Sequence, residues 1–126
     1  MGDFLATLFL TRELAHRYHL STKSYSQHKA LGHFYDELLE LIDDLAEMWQ
    51  GKEGIIDIPI LTAKQGTDAV YFVAGKLDYV EKNRYKVATK EDTAIQNKID
   101  EIVELFLSTL YKLENLKWLI LVAFQI

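Results

Sequence analysis

Four histidines fall in one short stretch, His16, His19, His28 and His33, and a run of carboxylates follows: Asp36, Glu37, Glu40, Asp43, Asp44 and Glu47. Imidazole with carboxylate is a donor set for a first-row metal ion, and this one would accept iron, zinc or manganese. The spacing sorts the candidates. His16 stands three after Glu13, a Glu-x-x-His that places both side chains on one helix face. Di-iron bundles need two such motifs plus lone glutamates, and no second one occurs, which argues against a di-iron site within one subunit. Asp43 and Glu47 are four apart and share a face, where they could hold one cation or form a solvated acidic surface. His33, beside Glu37, reads as a solvated or lightly paired surface residue. His28 and Asp43 are separated by roughly 22 Å along a straight helix, too far to bind one ion in the same chain. If His19, His28, Asp43 and Glu47 act together, the carboxylates must come from a second copy packed antiparallel across a twofold axis.

The elements that position these residues follow from the apolar period. Leu5, Leu8, Ala15 and His19, with Arg12 the only charged member of the series, predict a helix over about residues 3 to 20. Ser24 with Gln27 has the form of a capping box, and Leu31, Phe34 or Tyr35, Leu38, Ile42, Leu45 and Trp49 carry a second helix to Gly51. The period fails from Gly51 to Gly66, where five aliphatic residues surround Asp57 and Pro59. This predicts a connection with buried apolar residues and room for a helical turn at Thr62 to Gln65. Thr67 can cap a third helix, with Val70, Val73, Leu77 and Val80 inside and Lys76, Glu81, Lys82 and Arg84 outside, ending near Val87. Thr89 with Asp92 signals a fourth, whose stripe of Ile95, Ile99, Ile102, Phe106, Leu110 and Leu113 runs to about Lys117. Short turns within each pair and one long connection between them predict an all-α fold, a ferritin-like antiparallel four-helix bundle with a crossover between helices two and three. Residues 1–117 form one domain, and 118–126 form an apolar tail expected to pack on its own bundle or on a neighbouring subunit.

Composition bounds the function. With 126 residues, 49% of them hydrophobic and one proline, the chain has the means for an ordered core. The absence of cysteine excludes disulfides and thiolate chemistry, fits a reducing compartment and agrees with a cytoplasmic location. A net charge of −5 without a lysine-rich arm argues against direct nucleic-acid binding. The amino-terminal residues lack the basic start of a signal peptide, and the apolar run from Trp118 to Ile126 is too short to span a membrane.

His16-Arg17-Tyr18-His19-Leu20, then Thr22-Lys23, His28, Phe34-Tyr35-Asp36-Glu37-Leu38 and Asp43-x-x-Ala46-Glu47 together resemble the first two helices of the Dps-type mini-ferritins. The likeness is nearest to short, divergent members such as those of tailed phages. The resemblance implies an iron-binding mini-ferritin with an intersubunit ferroxidase centre, where peroxide or oxygen oxidises ferrous iron, assembled as a homodimer or larger homo-oligomer. The implied metal ligands are His19, His28, Asp43 and Glu47, and an ungapped count selects His16 as the first ligand instead. The chain departs from that pattern in three places. Leu20 replaces a tryptophan, the turn between His19 and His28 is shorter than usual, and Gly32 stands where a supporting acidic residue is common. The missing tryptophan, the shorter turn and the apolar tail favour a second expectation: a catalytically inactive bundle of the same fold that serves as a structural or protein-binding module.

Overall fold

The computed structural model describes residues 1–116, which form four α-helices with no strand among them. They are α1 (Gly2–Ser21), α2 (Tyr25–Glu53), α3 (Ala69–Val87) and α4 (Thr93–Asn115). The apolar stripes meet in one core, in which Leu5, Leu8, Leu31, Phe34, Leu38, Ile42, Leu45, Val73, Val80, Ile99, Ile102 and Phe106 are fully buried. None of the four helices is long and apolar enough to cross a membrane. The expected tail, 118–126, lies outside the described residues.

The helix ends differ from expectation in instructive ways. Ser24 caps α2 by accepting the Gln27 N–H at 3.2 Å, but the Gln27 side chain accepts from the Thr22 hydroxyl, which itself accepts from Ser24 N–H. α2 passes through Gly51 and stops at Gly54, whose φ of 89° lies in the region that glycine tolerates best. Asp68, not Thr67, caps α3, accepting the Tyr71 N–H at 3.1 Å. Asp92 starts α4 without a side-chain cap bond, its carboxylate being turned instead toward Lys52 Nζ of α2 at 2.6 Å.

α1 packs on α2 and α3, and α4 packs on the same two, so α2 and α3 stand on one diagonal of the bundle. The connection between them, residues 54–68, must therefore return the chain to the far end. Gly2 backs onto the Asp57 carbonyl at the start of α1, and Gln65 Nε2 donates to Ser21 Oγ at its end. Covering α1 in the residues from 57 to 65 means bridging about 28 Å at close to the maximum reach of about 3.3–3.6 Å per residue. The segment is a taut strap along α1, which leaves no slack for the helical turn expected at Thr62 to Gln65. It also fails to bury its apolar residues as expected: Ile56, Ile58 and Pro59 are half-covered, but Ile55 and Ile60 are 87% and 95% exposed. At the upper end Tyr18 packs on Phe72 beside Gly66, and burial pushes its phenol above the usual range.

Arg84, expected on the outer face of α3, is buried. Its Nε donates to Gln96 Oε1 and its Nη2 to Gln96 O, both at 3.0 Å, and Nη2 also reaches Asp100. Gln96 Nε2 donates in return to the carbonyls of Arg84, which also accepts the Ala88 N–H, and of Ala88, past the end of α3. The pair locks the α3–α4 turn. Gln96→Ala is expected to cost about 1–3 kcal/mol, because it strands the buried Arg84 Nε–H and the Ala88 carbonyl, as urea unfolding would measure.

The Lys52 bond holds the Asp92 carboxyl below its usual range and raises the Lys52 ammonium. A lowered acid contributes stability above its unfolded value and loses it as pH falls through the folded one. The raised lysine keeps its contribution until strongly alkaline pH. Thermal unfolding should thus show the pair's share vanishing below about pH 4, with Asp92→Asn flattening the acid limb and leaving the slope between pH 6 and 8 unchanged.

Candidate functional site

The α1–α2 turn brings three of the four histidines together. His19 and His28 stack with ring centres 3.7 Å apart and planes 16° from parallel. Each Nδ1 bonds the other residue's backbone carbonyl, at 2.6 and 2.7 Å. A carbonyl can only accept, so both Nδ1 atoms carry the hydrogen, and each Nε2 is the atom left for any further partner. The His19 carbonyl lies in the last turn of α1 and has no helical partner of its own, so the exchange also completes a helix end. Tyr35 extends the cluster, stacking on His16 at 4.1 Å, meeting His19 edge-on at 5.3 Å and lying under the Arg12 guanidinium at 5.4 Å.

Gly32 makes the stack possible. A Cβ there would approach His19 Cε1 to 3.0 Å and Nδ1 to 3.2 Å, while His28 closes the opposite face of the ring. The resemblance marked Gly32 as the place of a missing acid; the structure uses it as room for an imidazole.

The remaining expected ligands lie elsewhere. Asp43, Glu47 and His33 are on the exposed face of α2, apart from the ring cluster. Among the described residues of a single chain, no three His, Cys, Asp or Glu side chains are grouped to hold a metal ion. Two nearly parallel rings 3.7 Å apart also cannot aim their in-plane lone pairs at one ion about 2.0–2.1 Å from each nitrogen. In this arrangement His19 and His28 clamp a hairpin.

A second feature was not anticipated. Between α1, α2 and the strap runs an open apolar groove of about 530 Å³, walled by Ala6, Phe9, Leu10, Leu39, Ile58 and Leu61. Arg12 and Glu13 stand along it, and the Arg12 Nε–H, closed off from solvent, has no acceptor among the described residues. A shallower hollow continues up the strap between Leu61 and Arg17. The sequence signal was the broken period itself, a β-rich aliphatic run too polar in its interruptions to be a core strand.

The comparisons with known proteins decide the family. Residues 19–113 match the family described as a family of unknown function (DUF5856). The chain belongs to DUF5856. It is also 32% identical over 113 residues to the "Uncharacterized 14.6 kDa protein in mobD-ri intergenic region" of Enterobacteria phage T4, covering 88% of this chain and 85% of that one. No solved structure matches. The resemblance to Dps-type mini-ferritins is thereby corrected: the matching family is a different one, and the relative is a phage protein. The all-α bundle and the phage association remain.

The clamp predicts a contrast between two glycines. Gly75 in α3 has open space where a Cβ would stand, so Gly75→Ala should gain about 1 kcal/mol of helix propensity. Gly32→Ala should gain nothing or lose stability, because the His19 ring is pinned from behind. Parallel urea titrations of the two variants would show the difference.

Proposed function

We propose that this DUF5856 protein is a non-enzymatic, phage-type helical module that works by binding another protein chain. The observation that carries this reading is the apolar groove beside an aliphatic strap whose Ile55 and Ile60 are left almost wholly in solvent. Contiguous exposed apolar surface is costly unless it is used, and a concave apolar wall beside an exposed aliphatic side chain suits a protein surface better than a small polar substrate. The relative in phage T4 supports the phage association. In the same reading the histidines hold the α1–α2 hairpin that forms one wall of the groove.

A photo-cross-linking amino acid placed at Ile60 tests the reading in cells making the chain. A discrete adduct is expected that disappears with Leu10→Glu in the groove wall and survives Asp43→Asn with Glu47→Gln on the far acidic face. The reading is overturned if no adduct forms, or if the acidic-face substitutions remove it and Leu10→Glu does not.

A further inference from the structure

The groove-bearing face carries opposite charge at its two ends. At the lower end, where α1 begins and the strap leaves α2, stand Asp3, Glu53 and Asp57; at the upper end stand Arg17, Lys23 and Lys64. All six are exposed. Glu13, in the middle, is taken up by Arg17 at 3.0 Å and approached by Arg12. Between the ends lie the groove and, on its rim, Ile60, which stands almost wholly in solvent. A hollow and a projection on one surface, with an acidic end and a basic end, is a self-complementary pattern: a twofold axis through the middle sets each copy's projection against the other's hollow and each acidic end against a basic one.

We infer that the occupant of this face is a second copy of the chain, docked antiparallel about a twofold axis with Ile60 of each copy seated in the other's groove. This rests on the reading of the face as a protein-binding surface and names the partner. Attraction between the ends fixes the antiparallel direction, because a parallel arrangement would set Asp57 against Asp57 and Lys64 against Lys64.

Sedimentation equilibrium of the full chain tests the inference. At concentrations of about 50 µM the protein should show twice its 14.6 kDa mass, and Ile60→Asp should return it to the monomer mass with its helical circular dichroism intact. Two charge variants give an independent check. Glu53→Lys with Asp57→Lys makes both ends basic, and Arg17→Glu with Lys64→Glu makes both ends acidic. Each alone should be monomeric, and an equimolar mixture should recover the dimer mass, more weakly as salt is raised. A wild-type chain that stays monomeric overturns the inference, as does a dimer that keeps its mass through Ile60→Asp and through both charge reversals. If the chain is monomeric while the Ile60 cross-linker still yields a groove-dependent adduct with a foreign protein, the self-docking is wrong and the binding reading stands.

Discussion

The structure depends on a distance. α2 and α3 stand on one diagonal, and the chain between them runs along α1 from one end to the other, with residues 57–65 nearly extended. At that extension the strap cannot coil, and its side chains take opposite sides: Ile56 and Ile58 pack on the core while Ile55 and Ile60 face solvent. The exposed Ile60, the open groove beside it and the lack of backbone partners for residues 57–64 among the described residues go with that extended path. What would be a defect in a slack loop becomes a fixed surface, presented at the same place in every copy.

Against that tension two polar devices hold the hairpins at their turns. His19 and His28 exchange bonds with each other's backbone across the first, and Arg84 and Gln96 do the same across the second. Both sit at helix ends, and each gives a side-chain donor to a carbonyl there, His28 to that of His19 and Gln96 to that of Ala88. Lys98 adds a bridge between Asp44 of α2 and Glu101 of its own helix, and the Glu101 bond raises its ammonium.

The helices were legible because burial of an amphipathic face imposes its period on the sequence, and α2 and α4 carry that period almost unbroken. The path of the strap was not, because residues 54–68 record only that the period stops; how far they must reach depends on where α3 is placed by others. Arg84 was misplaced for a related reason. A polar residue at a stripe position looks like an edge of the outer face until its partner is known, and Gln96 lies twelve residues away in another helix. The histidines were found at once, but their mutual arrangement was not. The stacking of His19 on His28, and the room that Gly32 leaves for it, are contacts across a turn that spacing along the chain does not record.

The lock at Arg84 also changes what the basic residues of α3 can offer. Counted along the chain, Lys76, Lys82, Arg84, Lys86 and Lys90 resemble a basic strip. Lys82 is paired with Asp78, and the Nε and Nη2 edges of Arg84 point inward to Gln96 and Asp100. Its charge contributes to the surrounding potential, but its forked donors, the part of an arginine that grips a phosphate, are turned away from any polyanion passing outside.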